Sequence, residues 1–345
     1  MQGLFAYSGI AAKVRAMQGK LVKKEEYEEM AELDSVQEVV DYLKRYPAYE
    51  KLLTVEMVNH HQRAKIEEFF RQSFFVDYYK IYLFADAEQR IFLDIYGMRF
   101  ENAILKRCLR MIFDNQVMDL DMPEFVAFFN KRSSLDLVEL CNAGNINEFI
   151  DGLRDSQFYP VLKRFQESGK AGLFEYENAI DLFFMKRLIT DYKKVLKNRD
   201  LEFTNHVYGS EIELLNLQWI YRAKKYYHMT PADIYALIIP VHYKMNKETI
   251  KALVEADTID EVIALFRSCY YARYAKEEMN TSSIEKIYYE LIGKIRSIYS
   301  RKYPYSIAGI ENYLYLKERE VDNLTTLLES VRYGLSAEEI KGYIA

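Results

Sequence analysis

Proline and glycine, both sparse in this chain, limit its fold most. Only six prolines and thirteen glycines occur in 345 residues, and two long windows, Ala48–Tyr96 and Val241–Ile292, contain neither. A sheet protein needs turn chemistry every ~8 to 12 residues, so windows of this length predict helix. Periodicity agrees. Ile66, Phe70, Phe74, Tyr78 and Tyr82 recur every fourth residue, with Phe75, Tyr79 and Leu83 alongside. Leu173, Tyr176, Ile180, Phe183, Phe184 and Leu188 follow a 3-4-3 rhythm, as do Ile284, Ile287, Tyr288, Leu291, Ile292 and Ile295. These are apolar stripes of amphipathic helices. Aromatic residues at that spacing read as core rather than as a cofactor box or base-stacking platform. The 30 tyrosines suit the same reading, since each can pack its ring and keep its hydroxyl wet.

The chain is 50% hydrophobic and 29% charged, the balance of a globular protein with a real core. A net charge of -5 argues against nucleic acid as the main partner, whose footprint is basic. Cys108, Cys141 and Cys269 are scattered and form no CxxC, so buried thiols in a reducing compartment are expected. No stretch approaches the roughly 18 to 20 apolar residues that span a bilayer. The opening "YSGIAAKVRAMQGKLVKKEEYEEM" is basic and free of acid up to Lys24. It could be a transit leader, a membrane-surface helix or the first helix of the body. It fails as a secretory signal because Lys13 and Arg15 interrupt its apolar run.

Internal repetition decides between these. "EEYEEMAELDSVQEVVDYL" from Glu25, "LDLVELCNAGNINEFIDGL" from Leu135 and "ETIKALVEADTIDEVIALF" from Glu248 align without a gap. Each contains a capping box: Ser35 with Glu38, Asn145 with Glu148, Thr258 with Glu261. The cap side chain accepts from a free N–H at the helix start, and the glutamate is expected to reach back to the cap's own N–H. An apolar pair follows each box, and then an aromatic residue at Tyr49, Tyr159 and Tyr271. One helix–turn–helix unit thus recurs at intervals of 110 and 113 residues, from Ser35 to Asn145 and from Asn145 to Thr258.

A second landmark has nearly the same period. Glu213 with Asn216 and Glu320 with Asn323 each sit one helical turn apart on one face. The remaining copy has Asn102, but Arg99 stands in the glutamate's place. Buried Glu and Asn need partners, so their expected role is to pin one helix to its neighbours. Basic segments carry Lys106 and Arg107 after Asn102, and Arg222, Lys224 and Lys225 after Asn216. The opening segment, with Lys13 and with Arg15 in the matching place, then reads as the leading element of the first repeat. The expected domains are 1–105, 106–220 and 221–345, with the first helix of each free to continue from the preceding one.

Chemistry-bearing motifs do not emerge. His60 and His61 are adjacent, about 100° apart on a helix, and His206, His228 and His242 are isolated. No HExxH or Cys/His pattern occurs. Gly169-Lys170 resembles the end of a P-loop, yet Arg164 and Ala171 replace its first glycine and its Ser/Thr. Asp119 with Asp121, like other carboxylate pairs, reads as a solvated surface. The basic run 186–199 reads as the wet face of an amphipathic helix. No catalytic residue, metal, cofactor or small-molecule substrate is assigned.

The start "YSGIAAKVRAMQGKL", the three capped units, "EIELLNLQWIYR" and "YLYLKEREVDNLTTLLESVRYGLSAEEI" together resemble the C subunit of the bacterial and archaeal V/A-type rotary ATPases. A eukaryotic relative is the d subunit of the vacuolar proton pump. The resemblance covers essentially the whole chain, with Arg99 and Ala103 as departures. It implies an all-α protein of three similar helical domains in a pseudo-threefold, funnel-like arrangement. It also implies a non-catalytic central-stalk component, peripheral at the cytoplasmic face of the membrane. Such a component would join the central shaft, made by the D and F subunits, to the membrane rotor ring of proteolipids. Lys13, Arg15, Lys106, Arg107, Arg222, Lys224 and Lys225 are then candidate contacts to ring or shaft. A helical-repeat scaffold outside the rotary ATPases is the alternative, although solenoid units are usually shorter, at about 20 to 50 residues.

Overall fold

The computed structural model describes residues 2–50, 63–116, 123–169, 172–274 and 284–344. His60, His61, Asp119, Asp121, Lys170 and Ala171 lie outside them, as do the side chains of Ile66 and Ile284. All regular structure in the described residues is helical. In chain order the helices are α1 (Gln2–Gln18), α2 (Lys24–Ala31), α3 (Val36–Leu43), α4 (Arg63–Phe84), α5 (Ala87–Phe113) and α6 (Pro123–Asn130). Next come α7 (Leu137–Cys141), α8 (Ile146–Asp151), α9 (Tyr159–Ser168), α10 (Leu173–Val195), α11 (Asn198–Lys225) and α12 (Pro231–Leu237). Then follow α13 (Lys247–Glu255), α14 (Ile259–Ser268), a 3₁₀ turn (Tyr270–Tyr274), α15 (Ile284–Lys302), α16 (Ile307–Arg332) and α17 (Ala337–Tyr343).

The apolar stripes are where the core forms. Phe70, Phe74, Phe75, Tyr78 and Tyr82 of α4 are buried, and so are Tyr176, Ile180, Phe184 and Leu188 of α10. Leu291, Ile292 and Ile295 serve α15 in the same way. Each fully buried aromatic or aliphatic side chain contributes roughly 1.5–3 kcal/mol. Leu83 closes its stripe on the outside, 58% exposed.

The chain divides into two compact units, Met1–Asp86 with Lys276–Ala345, and Ala87–Ala275. In the second unit α5 runs against α10 and carries the pair α7–α8, while α11 carries α12, α13 and α14. Tyr192 links the two halves of this core, stacked on Phe92 at 5.6 Å and on Tyr208 at 5.1 Å. In the first unit α16 is central and packs on α1, α2, α3, α4, α15 and α17. Ile10 and Val14 fix α1 there by burial. Two buried polar contacts also sit on α16: Arg296 with Glu311 at 3.0 Å, and the Tyr313 hydroxyl donating to Asp77 at 2.6 Å.

Each helix–turn–helix pair therefore packs on one long helix: α7–α8 on α5, α13–α14 on α11, and α2–α3 on α16. Boundaries at 105/106 and 220/221 run through the continuous helices α5 and α11. All three long helices stop at a left-handed residue soon after their last turn, Asn115 (φ 54), His228 (φ 49) and Gly334 (φ 68). That conformation cannot continue a helix, and it favours Gly or Asn. After His228 and Gly334 the chain enters a short helix through a full capping box, Thr230 with Asp233 and Ser336 with Glu339.

The three predicted caps form, with one correction. Ser35, Asn145 and Thr258 accept from the N–H of Glu38, Glu148 and Glu261 at 3.3, 3.1 and 3.2 Å. The glutamates do not return to the cap's own N–H. They reach one residue further, to the N–H of Asp34 (3.1 Å), Gly144 (2.8 Å) and Asp257 (2.8 Å). The glutamate stem is long enough to pass the cap, so each box also staples the turn joining the two helices of its pair.

Candidate functional site

The most constrained polar geometry lies around the recurrent glutamates. In the second unit Glu213 projects from α11 and is fully buried. The segment between α12 and α13 wraps over it, and the N–H groups of Tyr243, Lys244 and Met245 donate to its carboxylate at 2.5, 2.9 and 2.9 Å. The Tyr271 hydroxyl adds a fourth donor at 2.5 Å. One turn on, Asn216 takes the N–H of Ile239 on Oδ1 and gives Nδ2 to its carbonyl, both at 2.8 Å. Gly209 completes the seat: a Cβ there would lie 2.6 Å from Cγ of Tyr243, so only glycine lets this ring lie flat on the helix. The Tyr243 hydroxyl also bonds to Nδ1 of His206. An anion taken from water is costly unless donors surround it, and here they do.

In the first unit Glu320 takes the equivalent place on α16. It accepts the N–H of Val22, 298 residues away along the chain, at 2.6 Å. The Tyr49 hydroxyl donates to it at 2.5 Å, matching Tyr271, and the Lys317 ammonium does so at 2.6 Å. Lys317 also donates to the Tyr49 oxygen at 2.8 Å. Burial, reinforced by the carboxylate charge, pushes the Tyr49 and Tyr271 phenols well above the ordinary tyrosine value.

The α5 copy departs from this plan where the sequence does. Arg99 has no backbone donors to gather; it approaches Glu211 of α11 at 3.4 Å, with the rings of Tyr96 and Tyr208 within 5.4 and 5.3 Å. Asn102 donates to Asp181 at 2.8 Å, and the same carboxylate takes Lys106 at 2.9 Å. With Arg110 on Glu177 at 2.6 Å, these contacts lock α5 to α10.

The candidate contact cations are placed differently from one another. Arg15 and Arg222 are exposed, and Arg107 is half-buried. Lys13 lies 5.9 Å from the Phe84 ring. Lys106 belongs to the α5–α10 seam, and Lys224 donates to the Ala256 carbonyl at 2.7 Å. Lys225 bonds the Tyr221 hydroxyl at 2.8 Å and faces the Tyr226 ring. Among the described residues no group of three or more His, Cys, Asp or Glu is placed to hold a metal ion, and no helix is long and apolar enough to cross a membrane. Sequence reasoning found the pinning Glu and Asn residues, and Tyr49 and Tyr271 only as recurrent aromatic positions, but missed Gly209, Tyr243 and Lys317. Lys317 lies in a charged run that reads as surface, and nothing local marks the segment over Glu213 as buried.

The described residues form an all-helical, repeat-built chain in which three long helices each carry a capped helix pair. Likeness to known proteins gives its family. Residues 10–343 match the model of the ATP synthase (C/AC39) subunit family, and the chain belongs to that family. Among its relatives, the A-type ATP synthase C subunit of Methanobrevibacter smithii is 23% identical, with 95% of this chain and 85% of the relative covered. The protein of the same name from Methanosarcina mazei is 22% identical over 99% of this chain and 93% of the relative.

Proposed function

We propose that the chain is a non-catalytic rotor component in the central stalk of a V/A-type ATPase. It acts as a socket that receives the shaft made by the D and F subunits and rides on the proteolipid ring at the cytoplasmic face of the membrane. Torque passes through it between ring and shaft while ions move and ATP is hydrolysed or made. The observation that carries this reading is membership of the ATP synthase (C/AC39) family along nearly the whole chain. Three similar helical units about a pseudo-threefold axis, each a long helix with its capped pair, form the architecture proposed with it.

Two features support a mechanical role. A body that transmits torque must resist deformation, and satisfied buried polar networks such as those at Glu213 and Glu320 stiffen helix contacts. The exposed Arg15 and Arg222 offer rim charges, which orient and accelerate association more than they hold it. Reversing both, in Arg15→Glu with Arg222→Glu, is expected to slow association with the D/F shaft or the ring by about tenfold at low salt. Unchanged capture of both partners would remove these arginines from the interface. A chain that co-purifies with none of the A, B, D or F subunits would remove the rotary assignment itself.

A further inference from the structure

The three capped pairs are not held to their long helices by the same chemistry. The pairs on α11 and α16 are followed by Tyr271 and Tyr49, whose hydroxyls donate to Glu213 and Glu320. On α5 Arg99 stands in the glutamate's place, and a pair of thiols lies in the seam. Cys108 of α5 and Cys141, the last residue of α7, are both buried, and the Cys108 thiol donates a hydrogen bond to the Cys141 sulfur. In the aligned pairs Ala31 and Val254 hold the place of Cys141, equally buried but inert. Arg107, next to Cys108 along α5, sets its positive charge near both sulfurs. Cys269, half-buried, has the carboxylate of Glu213 as its charged neighbour instead.

We propose that Cys108 and Cys141 form a redox modification site, at which a small hydroperoxide joins them in a disulfide that staples α7 to α5 and a dithiol releases it. Cys141 attacks as the thiolate. Its sulfur forms an S–O bond, the peroxide O–O bond breaks, and the departing hydroxide takes up the proton Cys141 has given, leaving as water. Cys108 then attacks the sulfenic acid at Cys141: the S–S bond forms, the S–O bond breaks, and the hydroxyl leaves as a second water with the Cys108 proton. Two thiols and one hydrogen peroxide thus give one disulfide and two waters. A dithiol reverses this by two exchanges and is itself oxidised to a disulfide. The roles follow from the local electrostatics. Its hydrogen bond to Cys141, and then burial, hold the Cys108 thiol well above the ordinary cysteine value. Accepting that bond lowers Cys141, and the Arg107 charge acts in the same direction against burial. The thiolate is the nucleophile, so Cys141 reacts first and Cys108 resolves. Burial restricts the site to small oxidants. As α7 has only five residues, a small local movement brings the sulfurs to bonding distance. None of this rests on the rotary assignment.

The full chain is treated with hydrogen peroxide, alkylated and digested for mass spectrometry. The expected product is a single chain in which the peptides of Cys108 and Cys141 are joined, with both thiols recovered by dithiothreitol. Amides of α7 and α8 should then exchange about tenfold more slowly than in the reduced chain. In Cys108→Ala, dimedone should trap the sulfenic acid on Cys141. In Cys141→Ala, which installs the residue of the first pair, Cys108 should resist oxidation. Circular dichroism checks that both variants fold, and where one does not, the joined peptide and the exchange rates of the unsubstituted chain decide. Joined peptides found only in urea, a disulfide between two chains, or Cys269 oxidised ahead of the pair would overturn the proposal. So would unchanged exchange in α7 and α8 after the disulfide has formed, or equal oxidation of Cys108 with and without Cys141.

Discussion

Glu213 and Glu320 occupy the same place on equivalent helices, yet their charges are neutralised by different means. Around Glu213 one continuous loop supplies three backbone N–H groups, and Tyr271 supplies a hydroxyl. Around Glu320 the donors from outside α16 come from separate stretches of chain, at Val22 and Tyr49. Among the described residues only Val22 donates from the backbone, and Lys317 brings an ammonium that its counterpart in the other unit, Ser210, cannot provide. The tyrosine is retained in both. A buried carboxylate must be satisfied whatever the chain order, and where the backbone cannot do this a cation must.

Substitutions can break this comparison in order of expected cost. Glu213→Ala strands three backbone donors and a phenol, at about 1–3 kcal/mol each, for a total near ~5 kcal/mol. Urea unfolding followed by hydrogen exchange should report the loss, with amides of α13 and α14 deprotected first. Glu320→Ala strands the Lys317 ammonium and should cost about 3–5 kcal/mol, felt in α2 and α3. Here the comparison predicts a rescue: adding Lys317→Ser, the residue of the other unit, should recover much of the loss in a double-mutant cycle. No single substitution should rescue Glu213→Ala in that way. Gly209→Ala drives a methyl into the Tyr243 ring and should cost about 1–3 kcal/mol.

The smallest effect is shared by both sites and tests their likeness. The Tyr49 and Tyr271 phenols have raised values in the fold, first through burial and then through the neighbouring carboxylate. In the unfolded chain they ionise near ~10. Their contribution is therefore complete below that pH and is lost as pH rises toward the folded values, since the unfolded state then binds fewer protons. Stability measured by urea unfolding should fall above pH ~10, and Tyr49→Phe with Tyr271→Phe should flatten the fall. A tyrosinate absorbance titration of the native chain should show these two phenols silent where free tyrosine ionises.

Much of the plan was legible beforehand because it is local. Helices follow from apolar spacing, and the caps at Ser35, Asn145 and Thr258 from three-residue spacing. The recurrence of Glu213/Asn216 and Glu320/Asn323 follows from counting. What the cap glutamates do was misjudged by one residue, since the reach of a side chain depends on the fold of the turn before it. Gly209 and Lys317 carried no signal: one is a glycine inside a helix, the other a lysine in a charged run, and each acquires its role from a neighbour remote in sequence.

By itself the sequence determined helical class, the thrice-repeated capped pair, the recurrent Glu213/Asn216 and Glu320/Asn323 and the family resemblance. Each of these is set by propensity and spacing over a few turns of chain. Only the tertiary structure decided that the pair at the start of the chain is held by α16 near its end, and that its Glu320 is balanced by Lys317. Such pairing joins segments some 300 residues apart, as with Val22 and Glu320 at 298. It is settled by which apolar faces and buried charges satisfy one another in space, and nothing in a local window encodes that.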